Sequence, residues 1–356
     1  MKILLIEEYS SLHKNLKEGL EYLGHQVDIA ATGDGWKNIP RNIDLNSHLI
    51  SPLNKIQYRL NLLKLLKVAH KYDIIQLINP FIIPNNYFPF KYFYKELFKR
   101  NKNIFLLAAG DDAFFWKVAR TKLRYGPFDD SLKYDLKKDN FDMNTNKAYL
   151  RNQYVAKNVK GIIPIMYEYQ ISYENHPNLC PTIPIPINID KIDYQPNTIN
   201  HRLVIFHGLN RYGFKGTRHV EQAFEYLNRK YPNDLELIID GHLPLNQYLK
   251  IMRKTNIIID QTNSYSLGVN GLYALAMGKI VLGGAEPESL AAFNIKKSPV
   301  LNITPDKNSI IQKIEYLLEN KNKIKQLGED SREYLENNHN YIKIAKQYLD
   351  TWASKI

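Results

Sequence analysis

The chain has 356 residues, of which 44% are hydrophobic and 24% charged, with a formal net charge of +12 and one cysteine. That length exceeds one ordinary core of roughly 100–200 residues and suits two domains, and the composition excludes a disordered or low-complexity chain. Cys180 alone excludes an internal disulfide or a cysteine metal cluster, Glu7 and Glu8 interrupt the first apolar run too early for a signal peptide, and no apolar stretch reaches about 18 residues, so a cytoplasmic protein without a membrane span is expected.

At the amino end KILLIEE reads as a buried strand, residues 12–23 as a helix, and HQVDIAA, after the stop at Gly24, as a second strand. A helical stretch near 53–70, the strand DIIQLI, a helix near 91–100 and the strand NIFLLAAG follow, the last leading into Asp111 and Asp112. Next come a helix near 145–158, the strand GIIPIM and the proline-punctuated PTIPIPINID, before the polar KIDYQPNTIN, the expected linker. The alternation restarts with HRLVIFHG, a helix over about 217–230, the strand LELIIDG, a short helix near 246–254, the strand NIIIDQ, a helix across GLYALAMG and the strand KIVLGG. Helical stretches over roughly 307–337 and 341–354 close the chain.

Strands alternating with helices imply an α/β architecture with parallel sheets. The expectation is two doubly wound, Rossmann-like domains facing a cleft: an N-terminal domain over 1–190, a linker over 191–200, a C-terminal domain over 201–337 and a terminal helical segment over 338–356. Open α/β sheets bind ligands outside the carboxyl ends of their strands, so function is expected at strand-to-helix turns.

The charge is uneven. Residues 51–110 carry ten Lys or Arg against Asp73 and Glu96, a balance of +8. Such a surface attracts nucleic acid, anionic lipid or a phosphorylated substrate, or is a solvated lysine-rich face. Nothing beyond charge supports nucleic acid, and none is expected as a partner. NYFPFKYFYKELFKR, residues 86–100, interleaves aromatics with lysines and on a helix presents a Tyr/Phe face with a basic margin, the form of a contact with an anionic membrane surface, against which stands the need for half of these aromatics to pack on the sheet of the first domain.

The turn after the first strand, EEYSSLHKN, has no glycine and so is no dinucleotide fingerprint. HGLNRYGFKGT, residues 207–217, is different: Gly208 and Gly213 have the spacing of a nucleotide-triphosphatase loop, but Phe214 delays Lys215 and Gly216 separates it from Thr217. Gly208, Gly213 and Gly216 open onto a helix whose free N–H groups and positive end favour an anion, and Arg211 and Lys215, four residues apart, can clamp a diphosphate.

The run H-G-x-x-R-x-x-x-K-G-T, then a strand ending in Asp260 and Gln261, then G-x-x-x-x-Y-A-L-A-M-G-K-I-V-L, resembles the donor half of bacterial GT-B glycosyltransferases, more narrowly the family-4-like ("group 1") enzymes of surface polysaccharide synthesis. The resemblance covers about residues 200–290. It implies a nucleotide-sugar donor whose diphosphate is held by Arg211 and Lys215, no cofactor and no metal, a saccharide or lipid-linked acceptor, and a last helix that returns to the first domain. Polysaccharide enzymes of this kind, such as those of capsule and lipopolysaccharide, often take membrane-attached acceptors, so a peripheral place at the inner membrane face is part of the expectation. Gly268, matching a family glycine, supplies either a backbone N–H to the phosphate or simply a turn.

The resemblance breaks at one motif. The family carries two Glu with seven residues between them, one by the donor sugar and one on the ribose hydroxyls; counting back from Gly278, those positions are Tyr265 and Tyr273. A phenol cannot offer two carboxylate acceptors. Either Tyr273, Asn270 or Glu286 takes over, or the local alignment slips, or the chain is a non-catalytic GT-B-like partner of a polysaccharide assembly. A nucleotide-sugar epimerase is a further alternative on the same fold.

Acid-base chemistry in such a cleft needs a titratable group at a strand end of the first domain. Asp111 and Asp112 follow the strand NIFLLAA, with Asp112 also suited to capping the helix that follows. His13 either faces an acceptor hydroxyl or lies on the surface of its helix. His207 ends the first strand of the second domain, where a neutral imidazole bonded to a loop carbonyl is expected, and Asp129 and Asp130 read as loop acids.

Overall fold

Every strand-like run of the sequence becomes a strand of one of two parallel sheets. The structure, a computed structural model, describes residues 1–356 apart from 48, 50–52, 84–87, 135–140, 210 and 242–244, and only the backbone of 36, 141, 142, 245 and 246. In chain order it runs β1 (Lys2–Ile6), α1 (Leu12–Tyr22), β2 (Gln26–Ala31), β3 (Ile43–Asp44), α2 (Leu53–Val68), β4 (Ile74–Leu77), α3 (Phe90–Arg100) and β5 (Ile104–Ala108). Two short helices, α4 (Arg120–Lys122) and α5 (Asp129–Lys133), precede α6 (Asn146–Asn158), β6 (Gly161–Pro164) and α7 (Tyr167–Ser172). Then follow β7 (Leu203–Gly208), α8 (Tyr212–Lys215), α9 (Thr217–Lys230), β8 (Leu235–Asp240), α10 (Leu245–Lys254), β9 (Ile257–Ile259), α11 (Val269–Ala276) and β10 (Ile280–Gly283). The chain closes with α12 (Pro287–Ala292), β11 (Leu301–Asn302), α13 (Lys307–Glu319), α14 (Ile324–Asn338) and α15 (Tyr341–Ala353).

The chain forms two compact units, Met1–Ala119 with Asn140–Asn188 and Tyr341–Ile356, and Arg120–Asp139 with Ile189–Asn340. The first sheet has the order β3-β2-β1-β4-β5-β6 and the second β11-β10-β9-β7-β8, all pairs parallel. Both are doubly wound, and each reverses its winding once, at β1/β4 and at β7/β9. There neighbouring connections leave to opposite faces and open a crevice.

The strands are near-continuous Ile, Leu and Val because helices cover both faces of a parallel sheet: β4 and β5 are buried throughout, and β1 from Ile3 onward. The core of the second unit joins Leu203, Ile205, Ile257 and Ile280 of its strands to Val220, Phe224 and Leu227 of α9.

Two sequence expectations change here. The segment Arg120–Asp139, assigned by sequence to the first domain, packs with the second unit. In α3, Phe90, Phe93, Tyr94 and Leu97 are buried, so the expected aromatic face of residues 86–100 points largely into the core, with Tyr92 exposed; Asn86 and Tyr87 lie outside the described residues. The last helix, α15, belongs to the first unit and seats on α1, where a Cβ added to Gly19 would lie 2.3 Å from the carbonyl oxygen of Tyr341.

Candidate functional site

The crevice of the second sheet opens at the carboxyl ends of β7 and β9, and His207–Leu209 and Arg211–Thr217 of the HGLNRYGFKGT run lie there, Asn210 being outside the described residues. His207, the penultimate residue of β7, is fully buried, with Nδ1 2.9 Å from the Ile259 carbonyl and Nε2 2.9 Å from Thr217 Oγ1. Burial, then the nearby Lys215 cation, push its pKa down to about 3, so the ring is neutral, donating from Nδ1 and accepting at Nε2. It ties β7 to β9 and to the first residue of α9, the structural role expected of it.

Gly208 ends β7 and α8 follows as a single turn. Gly216 both ends α8 and begins α9 with φ of 67°, and a Cβ there would meet Thr262 Oγ1 at 2.0 Å and Asn263 Oδ1 at 2.7 Å. Only glycine fits this joint. Asn263 also donates from Nδ2 to the Gly213 carbonyl at 3.0 Å, so the loop after β9 braces the loop after β7.

Lys215 is buried, and its Nζ lies 3.6 Å from Asp260 Oδ1 at the end of β9. Asp260 Oδ2 accepts the Gly268 N–H at 2.7 Å. Asp260 therefore gathers two of the groups expected at the donor phosphate. It was legible in sequence only as the polar end of NIIID, and its role as the partner of Lys215 was missed. The Arg211 guanidinium lies 3.8 Å over the Phe214 ring, which holds the cation near the head of α8. Asn270 and Tyr273 are half-buried, in the first and second turns of α11.

Glu286 is not available to grip a ribose as the sequence reading allowed. Its Oε1 accepts from Tyr125 Oη at 2.6 Å and Asn302 Nδ2 at 3.0 Å, and its Oε2 from Arg124 Nη2 at 2.6 Å. Burial raises the carboxyl, but these hydrogen bonds and the Arg124 charge outweigh it and hold the group below the ordinary Glu range. Tyr265, at the first lost-Glu position, is buried and accepts from Arg124 N and Nε at 2.9 and 3.1 Å, while Tyr125 lies across its ring with centroids 4.8 Å apart. From the same 120–139 segment Asp130, read from sequence as a loop acid, is buried with Oδ1 3.7 Å from both Arg218 and His219. No local pattern pointed to Arg124, Tyr125 or Asp130.

In the first unit the segments that follow β1 and β5 are acidic. Asp112 is fully buried: Oδ1 accepts the Phe115 N–H at 2.7 Å as a helix cap and Oδ2 accepts from Tyr173 Oη at 2.5 Å. Burial pushes its pKa up to about 6, but both oxygens are occupied, which corrects its candidacy as a catalytic acid in favour of the capping role. His13 is likewise corrected. It is neither on the surface nor open to a hydroxyl, being fully buried with Nδ1 2.6 Å from the Glu7 carbonyl and Nε2 3.2 Å from Gln76 Nε2. Burial lowers its pKa to about 4. Asp111 is half-buried beside Gly110 and keeps its place as the acceptor-side candidate.

Glu7 and Glu8, missed in the sequence as more than the end of a strand, are the other acids there. Glu8 caps α1 through the N–H groups of His13 and Lys14. Glu7 sits at φ 64°, its Oε2 accepting from Thr32 N and Oγ1 at 3.0 Å, and its Oε1 is buried with no hydrogen-bond partner among the described residues.

Residues 206–350 match a family model described as "Glycosyl transferase-like". No curated protein sequence matches the chain. Among solved structures it is similar to HepE from Anabaena, determined with UDP and glucose, at 12% identity and a TM-score of 0.62, with 99% of this chain and 100% of that one covered. It is similar to sucrose-phosphate synthase from Thermosynechococcus elongatus at 14% identity and 0.65, covering 99% and 98%. It is also similar to UDP-GlcNAc 2-epimerase from Neisseria meningitidis, bound to UDP-GlcNAc, at 14% and 0.55, covering 99% and 100%. At such identities the likeness is one of fold, the two-sheet GT-B fold.

Proposed function

We propose that this chain, a GT-B protein of the group 1 glycosyltransferase type, moves a hexosyl or related sugar from a nucleotide-sugar donor to a saccharide or lipid-linked acceptor in surface polysaccharide synthesis. The observation that carries the reading is the glycine-jointed turn between β7 and α9, which sets Arg211 and Lys215 at the switch point of the second sheet. As the sugar leaves, negative charge grows on the diphosphate. Two cations and the N–H groups at the heads of α9 and α11 stabilise that charge without a metal ion. Binding draws Lys215 and the Gly268 N–H from Asp260, and Asp260 keeps both aimed in the meantime. The acceptor is taken by the first unit, with Asp111 at the end of β5 as the base. HepE, determined with UDP and glucose, supports a uridine nucleotide as the first donor to test.

A second reading has its own observation. Both lost-Glu positions are tyrosines and Tyr265 is occupied by Arg124, which favours a non-catalytic partner without donor binding. The similarity to an epimerase keeps nucleotide-sugar isomerisation without an acceptor as a third outcome.

The test is thermal unfolding with UDP, GDP, ADP, CMP and ATP, comparing the shift in the native chain with that in Lys215→Ala and Arg211→Ala. Each shift is taken from the variant's own ligand-free midpoint, because removing Lys215 leaves Asp260 without its cation. A ligand at about a hundred times its Kd adds roughly 2.7 kcal/mol. A shift with one diphosphate that both substitutions abolish supports donor binding, and turnover of the matching nucleotide sugar with and without saccharide acceptors separates transferase from epimerase. No shift with any nucleotide sinks the enzyme reading and leaves the partner.

A further inference from the structure

The first sheet reverses its winding at β1/β4, and one aromatic ring lies across that crevice. Tyr9, in the connection after β1, reaches past the end of β4 to the connection after β5. A Cβ on Gly110 would stand 2.8 Å from Tyr9 Cε2 and 3.8 Å from Asn79 Nδ2. Only a glycine, here at φ 69°, lets the ring lie so close. Tyr9 stays half-buried. Burial, then the charges of Glu7, Asp111, Asp34 and Asp112, hold its phenol well above the ordinary range, so four carboxyl groups face one hydroxyl that keeps its proton.

These acids differ in what occupies them. Asp112 is consumed by its cap and by Tyr173. Glu7 is 6% exposed, with Oε2 held by Thr32 and Oε1 buried without a partner among the described residues. Asp34 and Asp111 are half-buried, so a ligand reaches them. Asp34 Oδ2 accepts from Ser10 N at 2.8 Å and Lys37 Nζ at 2.6 Å. The connections leaving this edge, residues 7–11, 32–42, 78–89 and 109–114, carry five acids against Lys37 and Arg41, in a chain of net charge +12. Both cations are paired, Lys37 with Asp34 and Arg41 with Asp44. A phosphoryl group here meets like charge and finds no unpaired cation in the described part of these connections. A sugar ring suits the place, because its hydroxyls donate to carboxylates and its C–H face lies on an aromatic ring.

We propose that the first unit takes an uncharged sugar ring seated on Tyr9, with its hydroxyls donated to Asp34 and Asp111, and refuses a ring that bears phosphate. Glu7 is a positioning residue beneath them, tying the connection after β2 to the end of β1. The inference rests on the transferase reading in calling this ring the acceptor, and it narrows that acceptor to one whose reacting sugar carries no phosphoryl group.

The test is saturation-transfer NMR of the full chain at about pH 8, above the value of about 7 to which burial raises Glu7. The probes are the methyl glycosides of glucose, galactose and mannose and the 6-phosphate of each hexose, with the UDP-induced unfolding shift measured in parallel. At least one neutral glycoside is expected to bind about tenfold or more tightly than its phosphate. Tyr9→Ala should weaken that binding about tenfold, and Tyr9→Phe should keep it. Asp34→Asn removes one acid and releases Lys37, so it should narrow the preference against phosphate and leave the UDP shift unchanged, a result that a merely structural role does not give. Unfolding midpoints of each variant separate a lost site from a lost fold. Tighter binding of the phosphates, no glycoside binding beside a normal UDP shift, or a preference indifferent to both Tyr9→Ala and Asp34→Asn overturns the inference and leaves the donor reading standing. Glycoside binding without any UDP shift keeps the ring site and sinks the donor reading, and binding of neither sinks both.

Discussion

Tyr265 Oη accepts two hydrogen bonds from one residue 141 positions earlier, from the backbone N–H and the Nε of Arg124. The same guanidinium reaches Glu286 Oε2 at 2.6 Å and Glu288 Oε1 at 3.4 Å. Where the family resemblance leads one to expect a carboxylate beside the donor sugar, this chain has a phenol that fastens the 120–139 segment to the second unit.

The two acids gripping Arg124 differ in burial, and that decides their weight. Glu286 has a side chain 7% exposed with three donors, whereas Glu288 is 40% exposed at a longer distance. Glu286→Ala should cost about 3 kcal/mol, since Tyr125 Oη and Asn302 Nδ2 lose a charged acceptor. Glu288→Ala should cost less than about 1 kcal/mol, as an exposed pair. Urea unfolding of both variants checks the ranking, and equal costs would mean that Glu286 does not hold the segment.

Gly216→Ala tests the joint between α8 and α9. A left-handed backbone at φ 67° is disfavoured for alanine by about 1–2 kcal/mol, and the Cβ contact with Thr262 Oγ1 at 2.0 Å adds overpacking. Lower stability and a lost nucleotide-induced shift are expected together. Retained nucleotide binding in a well-folded Gly216→Ala protein would separate the joint from the anion site.

Gly19→Ala sets two known effects against each other. In an open helix the change gains about 1 kcal/mol of propensity. Here the Cβ would lie 2.3 Å from the Tyr341 carbonyl oxygen and 2.8 Å from Ala345 Cβ, so α15 must shift. Overpacking of about 1–3 kcal/mol should win and lower the midpoint of unfolding. A stabilised variant would mean that α15 does not seat on Gly19.

Glu7 gives a pH signature. Burial raises its carboxyl from an ordinary 4.5 to about 7, against hydrogen bonds from Thr32 that lower it. The folded chain therefore holds a proton that the unfolded chain has released, and stability falls as pH rises from about 4.5 to 7, with the full cost present above 7. Buried neutral His13 and His207 act in the opposite sense, losing stability as pH falls below their ordinary 6.5. The informative quantity is the difference between Glu7→Gln and the native chain. It should grow in favour of the variant by a few kcal/mol across that window, and a difference constant with pH would show that Glu7 stays ionised or is not buried.

What the sequence determined was local. Each run of Ile, Leu and Val between turn residues became a parallel strand, because a strand covered on both faces must be apolar throughout and helices between such strands leave no other sheet. The turn at Gly208, Arg211, Lys215 and Gly216 was legible for the same reason, as glycine freedom and cation spacing are properties of neighbouring residues. What the tertiary structure alone decided was pairing at long range. Nothing in Arg124, Tyr125 or Asp130 names Tyr265, Glu286 or His219, and burial of His13 follows from α1 folding over β4, where Gln76 meets it. Lys215 has the same history: its spacing announced a cation for phosphate, but the crossing of β9 beside β7 placed Asp260 within 3.6 Å of it. Charge and hydrogen bonding act across space, so a chain position announces the group it carries, and the fold selects the partner.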